Sequence, residues 1–496
     1  MKFDRSSGIL VHPSSFPGRF GIGDLGPSAF SFLDFLIEAG CKLWQILPLG
    51  PTGYGDSPYQ CFSAFAGNPY LISPELLLRD NLIHPNDLIK DMHFPKSHVE
   101  FGKIIPWKLN LLEKAFVNFS NNSTMHQEYD IFSFENSQWL NDYALFMALK
   151  ETYGGGSWTN FPQPLRTRDP KALLNSKKDL QNNVDRYKFY QFIFFKQWHA
   201  LKTYAHKLGI RIIGDIPLYV AHDSSDVWAK PGLFQLEPDG KPKVVAGVPP
   251  DYFSPTGQLW GNPIYRWSAH EVDGYQWWVD RMKHTLSQVD TIRLDHFRGF
   301  VQYWQVPAGE ATAERGQWVQ GPGIDLFKQL SNTLDWEFNF PIIAEDLGFI
   351  TDDVVELRDH LDIPGMKILQ FAFSGPDNVF LPHQFSSKCV VYTGTHDNDT
   401  SIGWFNSAPE NERKFAKEYM GVDGNDIAWS LIRLGWASVA NYAIAPMQDI
   451  LRLDSSARMN YPGRIGGNWE WRMPENYNNK VLLEQLKMIN HNYGRC

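Results

Sequence analysis

Four short apolar runs of the sequence each end in a carboxylate. The runs end at Asp215, Asp295, Glu345 and Asp397. Runs of this length, rich in β-branched residues, are typical of strands buried on both faces of a parallel sheet. When such a sheet closes into a barrel, the carboxyl ends of all its strands lie on one face. The sequence therefore predicts that these four acids, far apart in the chain, meet in one site.

Eight runs of this kind occur along the chain, and helical patterns separate several of them. A helix is predicted over 187–208, where apolar residues recur at helical spacing up to Gly209. Alternating strands and helices indicate a parallel sheet, and eight repeats favour a closed (β/α)8 TIM barrel over an open sheet. We therefore predict an α/β protein with one catalytic barrel over residues 1–496. The predicted strands are 8–11, 42–47, 211–216, 291–295, 341–345, 367–373, 389–393 and 442–446.

Two intervals between predicted strands are too long for a single helix. Residues 51–200, after the second strand, contain helical patterns at 107–118 and 138–151, and we expect a mainly helical insertion subdomain there. Residues 221–270, after the third strand, contain the Gly- and Pro-rich stretch 247–257. We predict that this second insertion carries an ordered loop over the active site.

The charge and the apolar pattern exclude several classes of partner. The chain has 46 basic and 55 acidic side chains, a formal net charge of −9, which argues against binding to nucleic acid or to an anionic membrane. No run approaches the roughly 18 apolar residues of a membrane span, and residues 1–6 lack the apolar core of a signal peptide. We therefore expect a cytoplasmic protein.

No metal site or cofactor is predicted. The four cysteines, at positions 41, 61, 389 and 496, are widely spaced, which favours neither a disulfide framework nor a zinc site. His396 lies beside Asp397 and could donate a hydrogen bond to a sugar hydroxyl or bind a metal. Because no second histidine stands at ligand spacing, the metal interpretation has little support.

The aromatic content is high for an ordinary core. The chain contains 18 Trp, 20 Tyr and 34 Phe, and some Trp residues lie in polar segments such as Gln258–Asn262 and Asn468–Arg472. Most of these rings belong to the core, but aromatic rings also stack on the flat apolar faces of sugars. The composition is therefore compatible with carbohydrate binding.

Asp295 and Glu345 are the best pair for cleaving a glycosidic bond. Such cleavage needs one carboxylate that attacks C1 or activates water, and one carboxyl that protonates the departing oxygen. Arg293, two residues before Asp295 on the same side of the strand, should keep Asp295 ionised. Glu345 precedes Asp346 in an apolar strand, where burial and a nearby negative charge should raise its affinity for a proton. For any one of these acids, the alternative is a structural ion pair or a cap.

Several segments around these acids resemble those of one known family. The resemblance is to the 4-α-glucanotransferases, also called amylomaltases or disproportionating enzymes, of glycoside hydrolase family 77 in the α-amylase clan. It covers essentially the whole chain. The matching segments are 6–10, 44–49, 55–60, 214–224, 293–299, 344–348, 394–400, 459–463 and 467–469.

The resemblance implies a barrel with insertion subdomains and without the separate C-terminal β-domain of most α-amylases. It implies that Asp295 is the nucleophile, Glu345 the acid/base, and Asp397 a third carboxylate that holds sugar hydroxyls as the ring distorts. It also implies a set of substrate-binding residues. These are Arg293, His396, Asp215, Tyr59, Asp251, Trp260 and Asn468.

The function implied by the resemblance is transfer of α-1,4-glucan segments. The acceptor would be the 4-OH of glucose or of another 1,4-α-glucan, the mechanism a retaining double displacement, and the partners α-1,4-glucans and maltooligosaccharides. One alternative is an α-amylase-like hydrolase with the same carboxylates and water as acceptor. A second alternative is a non-catalytic α-glucan-binding protein, against which the intact pair of Asp295 and Glu345 argues.

Overall fold

The computed structural model describes residues 3–53, 55–88, 93–121, 125–250, 254–464 and 466–496. These residues form twelve strands. They are β1 (Ser6–Leu10), β2 (Leu43–Gln45), β3 (Arg211–Pro217), β4 (Val244–Val248), β5 (Gln258–Pro263), β6 (Thr291–Asp295), β7 (Gln302–Pro307), β8 (Gln317–Gln320), β9 (Ile342–Ala344), β10 (Gly365–Ile368), β11 (Cys389–Tyr392) and β12 (Tyr442–Pro446).

In the part of the chain that the structure describes, eighteen α-helices lie between and around these strands. They are α1 (Pro27–Glu38), α2 (Pro74–Arg79), α3 (Phe101–Ser120), α4 (His126–Glu135), α5 (Ser137–Thr152), α6 (Gln163–Arg166), α7 (Pro170–Asp179), α8 (Gln181–Lys207), α9 (Ser225–Ala229), α10 (Trp267–Val272), α11 (Gln276–Gln288), α12 (Gly323–Thr333), α13 (Asp352–His360), α14 (Ser401–Ser407), α15 (Glu410–Met420), α16 (Ile427–Ala437), α17 (Met447–Ile450) and α18 (Lys480–Asn492). Among the described residues, no helix is both long and apolar enough to cross a membrane.

Eight parallel strands form the barrel. Their order is β10-β11-β12-β1-β2-β3-β6-β9. The two ends of this order also meet, because the N–H of Ala344 at the end of β9 donates to the carbonyl of Pro364, just before β10, at 2.9 Å. The (β/α)8 fold expected from the sequence is confirmed, and each of the eight predicted runs overlaps a barrel strand.

One predicted strand is much shorter than expected. The run 367–373 was expected to be strand throughout, but β10 covers Gly365–Ile368, so only the first two residues of the run are strand, and a 3-10 turn follows over Leu369–Phe371. Leu369, Ala372 and Phe373 are nevertheless buried. Apolar pattern alone therefore does not distinguish a strand from a buried turn over a few residues.

The long interval between β2 and β3 is occupied by helices α2 to α8. The 27-residue helix α8 packs against α3, α4 and α5 through buried side chains that include Phe189, Phe192 and Phe195. It ends before Gly209, whose φ of +76° lets the chain reverse, and the N–H of Ile210 returns to the carbonyl of Ala205. The chain thereby enters β3 and carries Asp215 to the end of that strand.

A second, antiparallel sheet stands beside the barrel, with the strand order β5-β4-β7-β8. It is built from two segments, one after β3 and one after β6. The stretch expected to be an active-site loop is therefore partly a hairpin, in which Gly247 pairs with Leu259 and Val248 with Gln258. Asp251 lies outside the described residues.

A buried arginine, Arg495, connects β1 to the segment between α16 and β12. Arg495 is fully buried, and its guanidinium donates to backbone carbonyls of β1, of the end of α16 and of the segment before β12. Burial and the nearby Arg5 lower the pKa of Arg495 to about 9, so it remains charged at neutral pH. The six accepting carbonyls are those of Ser6, Gly435, Trp436, Ser438, Ala440 and Asn441.

We expect Arg495→Met to lower the free energy of unfolding by about 3 kcal/mol, because it removes the buried, charge-assisted hydrogen bonds that Arg495 donates to these carbonyls. Urea unfolding followed by tryptophan fluorescence measures the change. Lys487→Met, on the exposed side of α18, is the matched control and should lie within about 0.5 kcal/mol of the parent. An Arg495→Met variant as stable as this control would contradict the prediction.

Candidate active site

The register of the barrel brings the predicted site residues to one face. Asp215 of β3 pairs with Arg293 of β6, and Pro217 pairs with Asp295. Arg293 and Asp295 are two positions apart, so their side chains leave the same face of the strand. Glu345 directly follows β9, the neighbour of β6 in the sheet. These four residues therefore lie side by side at the carboxyl ends of three adjacent strands.

Arg293 is the centre of a buried charge network. Its Nη1 lies 2.9 and 2.8 Å from the two carboxylate oxygens of Asp215 and 2.8 Å from Oδ1 of Asp295. The Tyr59 hydroxyl donates to Oδ2 of Asp215 at 2.9 Å. The Arg293 side chain is only 4% exposed, whereas 29% of the Asp295 side chain is exposed. Arg293 therefore fixes the orientation of Asp295 while Asp295 remains accessible from the barrel mouth.

Glu345 is held by backbone groups. Its Oε2 accepts from the N–H of His296 at 2.7 Å, and its Oε1 accepts from the N–H of Leu347 at 3.0 Å. Partial burial raises the pKa of Glu345 to about 7, with a further contribution from the negative charge of Asp295 and opposition from Arg293. His296 has a φ of +56°, the left-handed region, which directs its N–H toward Glu345. Glu345 can therefore both donate and accept a proton near neutral pH.

The negative charge beside Glu345 comes from Asp295 and not, as the sequence suggested, from Asp346. Asp346 turns away from the site, since consecutive residues of an extended chain point to opposite sides. Its Oδ2 contacts Arg358 at 2.6 Å and its Oδ1 accepts from the N–H of Met366 at 2.7 Å. Asp346 therefore connects β9 to β10 and α13.

Asp397 lies beside His396 on the loop after β11. The Nε2 of His396 is 3.3 Å from Oδ2 of Asp397, and Nδ2 of Asn460 donates to Oδ1 at 2.6 Å. Partial burial would raise the pKa of Asp397, but His396 and Asn460 outweigh it and hold this pKa well below its usual range. For His396 the directions are opposite: burial alone would lower its pKa, but the negative charge of Asp397 raises it. The pair is thus an ionised carboxylate next to a histidine that favours its proton.

Three rings form one wall of the site. The Tyr59 and His396 rings are stacked with centroids 5.0 Å apart, and the Trp469 ring lies 5.7 Å from Tyr59 and 5.9 Å from His396. Trp469 has a φ of +65°, which is uncommon for a residue with a side chain. This conformation turns the indole toward the other two rings.

Two further predicted ligands, Trp260 and Asn468, belong to segments beside these residues. Trp260, on β5, meets the His296 ring edge-on at 4.9 Å and so lies next to the loop that follows Asp295. The amide of Asn468 accepts from the N–H of Tyr461 at 2.9 Å and donates to the carbonyl of Arg464 at 2.8 Å. Asn468 therefore organises the loop that carries Asn460, and its predicted contact with sugar stays a prediction.

Sequence reasoning missed Asn460 and gave no individual role to Trp469. Both lie in segments that matched the family, but nothing in their local sequence indicates a contact with Asp397 or His396. Among the described residues, no cluster of three or more His, Cys, Asp or Glu side chains is arranged to hold a metal ion. The groups gathered at this face are the carboxyls, Arg293, His396 and the aromatic wall.

Comparison with known proteins decides the family. The family model for 4-α-glucanotransferase matches residues 11–478. The chain belongs to the 4-α-glucanotransferase family. It is 49% identical over 484 residues to the 4-α-glucanotransferase of Thermus thermophilus, covering 95% of each chain. It is also 49% identical over 497 residues to that of Synechocystis sp., covering 99% of this chain and 98% of the relative.

Among solved structures, the chain is similar to the amylomaltase of Streptococcus agalactiae in complex with acarbose. The TM-score is 0.96 at 38% sequence identity, and the match covers 99% of both chains. The barrel, the helical insertion and the antiparallel sheet are thus shared across essentially the full length of this relative.

We expect Asp397→Asn to lower the pKa of His396 to below its ordinary value of 6.5, because burial then acts without the opposing carboxylate. NMR titration of histidine-labelled protein measures the change, with the His396 signal assigned from a His396→Gln variant. Asp325→Asn, which removes an exposed carboxylate on α12, is the control and should leave the His396 titration in place. Equal His396 titration curves in the parent and in Asp397→Asn would contradict the described pairing.

Proposed function

We propose that this enzyme transfers α-1,4-glucan segments from a donor to the 4-OH of glucose or of another α-1,4-glucan by a retaining double displacement. One observation carries the proposal. Asp295, oriented by Arg293 at 2.8 Å, lies beside Glu345, whose pKa is raised to about 7. Glycosyl transfer with retention needs such a pair: a carboxylate that attacks and a carboxyl that exchanges protons. Membership of the 4-α-glucanotransferase family supports the same conclusion.

In the first step, a carboxylate oxygen of Asp295 attacks C1 of the donor glucose. The bond from C1 to the glycosidic oxygen breaks, and Glu345 gives its proton to that oxygen as the first product departs. The product of this step is a glycosyl ester on Asp295 and an ionised Glu345. Arg293 stabilises the Asp295 carboxylate before attack, and the backbone donors of His296 and Leu347 stabilise the Glu345 carboxylate afterwards.

In the second step, Glu345 takes the proton from the 4-OH of the acceptor. The acceptor oxygen attacks C1, the ester bond to Asp295 breaks, and a new α-1,4 bond forms with the original configuration. Both catalytic groups return to their starting states. Two inversions at C1 account for the net retention.

The other residues are assigned to the sugar at the cleavage point and its neighbours. Asp397, kept ionised by His396 and Asn460, is suited to accept hydrogen bonds from sugar hydroxyls that strengthen in the transition state. The ring of Tyr59 is suited to stack on the sugar face. Asp215 holds Arg293 in place by accepting a hydrogen bond from its guanidinium. The proposal retains Arg293, His396, Asp251, Trp260 and Asn468 as further contacts with glucan.

The proposal also includes free glucose as an acceptor and the cytoplasm as the location. Glucose as an acceptor follows from the chemistry of the reaction, since the first product carries a free 4-OH of the same kind as the acceptor, and the location follows from the sequence expectation. Glycogen, starch or maltodextrin metabolism is the corresponding physiological setting.

We expect the enzyme to convert maltotriose into glucose together with maltodextrins longer than maltotriose. Product chromatography distinguishes this from hydrolysis, which gives only shorter products, and from binding alone, which leaves maltotriose intact. Asp295→Asn, nearly equal in size, should lose turnover by at least about 10⁴-fold, because the amide cannot form the ester. Longer products from Asp295→Asn at the parental rate would refute its role as nucleophile.

We expect kcat/KM for maltotriose to fall about tenfold per pH unit above pH 7. Glu345 must be protonated to release the first product, and its raised pKa of about 7 means that its proton is present below this pH and lost above it. The alkaline fall should be absent with α-maltosyl fluoride as donor, since fluoride departs without a proton.

Two variants test whether Glu345 is the group that titrates. Glu345→Ala should retain fluoride release from α-maltosyl fluoride while losing activity on maltotriose. Glu356→Gln, an exposed change on α13, should keep the parental pH profile. If kcat/KM fell equally above pH 7 with maltotriose and with α-maltosyl fluoride, the titrating group would not be Glu345.

A further inference from the structure

Phe349 is an exposed ring on the loop that carries the acid/base. It follows Glu345 by four residues, and it is 69% exposed, whereas most aromatic rings of the chain are buried in the core. The loop is bent between the two, at Gly348, which has a φ of +84°. Four residues of chain reach at most about 14 Å. The distance from Phe349 to Glu345 is therefore short enough for an oligosaccharide of a few glucose units to span it.

The ring is exposed but not loosely attached. Arg298, on the turn after β6, donates from Nη1 to the carbonyl of Phe349. The same guanidinium lies 5.5 Å from the centre of the Phe349 ring and 3.9 Å from the centre of the Trp318 ring on β8. Arg298 is itself only 5% exposed. A buried cation between two rings thus fixes Phe349 before any ligand arrives, which reduces the entropy lost on binding.

The acceptor must approach from the side of Glu345. In the second step, Glu345 takes a proton from the acceptor 4-OH, so the first acceptor glucose touches Glu345 and the rest of its chain extends outward. Phe349 is an apolar ring on that same loop, open to solvent, with a flat face available for the C–H face of a glucose unit. An exposed ring held by Arg298, four residues after the acid on the same loop, is suited to that unit.

We propose that Phe349 forms an acceptor subsite that binds a glucose unit beyond the first, with Arg298 and Trp318 as its support. The ligand is an α-1,4-linked maltooligosaccharide, and free glucose is too short to reach the ring. The subsite makes the enzyme select long acceptors over glucose. This inference rests on the proposed transferase function.

The test compares two acceptors with one donor. α-Maltosyl fluoride loads the enzyme without a glucan leaving group, so only the acceptor occupies the outer subsites. In Phe349→Ala, kcat/KM for maltotriose relative to kcat/KM for glucose should fall about fivefold. Phe349→Tyr keeps a flat ring and should keep the parental ratio, whereas Phe349→Leu keeps apolar volume without the ring and should resemble Phe349→Ala.

Phe134→Ala is the matched control, since Phe134 is 81% exposed on α4 of the helical insertion. It should keep the parental ratio. The subsite is overturned by a parental ratio in Phe349→Ala, or by equal losses for glucose and maltotriose, which would mean that Phe349 only positions Glu345. A parent enzyme that releases only maltose from the donor, with no elongated product from either acceptor, overturns the transferase function itself.

Discussion

The site depends on one cation buried at the end of the barrel. Arg293 is almost inaccessible to solvent, and a charge in such a place is tolerated only when it is paired. Asp215 and Asp295 supply the pairing from two adjacent strands, and Tyr59 adds a donor to Asp215. Removing Arg293 would leave the buried Asp215 carboxylate without its counter-charge, at a cost of about 3–5 kcal/mol. The orientation of the proposed nucleophile is thus a condition of the fold as well as of the chemistry.

Sequence reasoning was sufficient for everything that follows from strand periodicity. The acids at 215, 295 and 345 each end a buried strand, and parallel strands in register bring such positions together. Arg293 was predictable as a partner of Asp295 because two residues on one face of a strand must point the same way. The eight strands were predictable for the same reason.

Contacts between distant segments were not predictable in this way. The hydrogen bond from Asn460 to Asp397 and the tilted contact between the Trp469 and His396 rings join a late loop to the end of β11, and neither has a local signature. The positive φ of Trp469 contradicts residue preference and is maintained by the surrounding packing. The antiparallel sheet escaped prediction because its strands come from two separate segments, one of them rich in Gly and Pro.

The two hydrogen bonds that Glu345 accepts from the backbone matter for engineering this site. Since the two donors are the N–H groups of residues 296 and 347, the acid can keep its hydrogen bonds with any residue at those positions except proline, which has no N–H. Saturation libraries at both positions can therefore alter the sugar-facing surface without relocating the acid. At position 296 the left-handed backbone conformation favours glycine, asparagine and aspartate among the possible replacements. Position 347 does not have a positive φ and lacks this restriction.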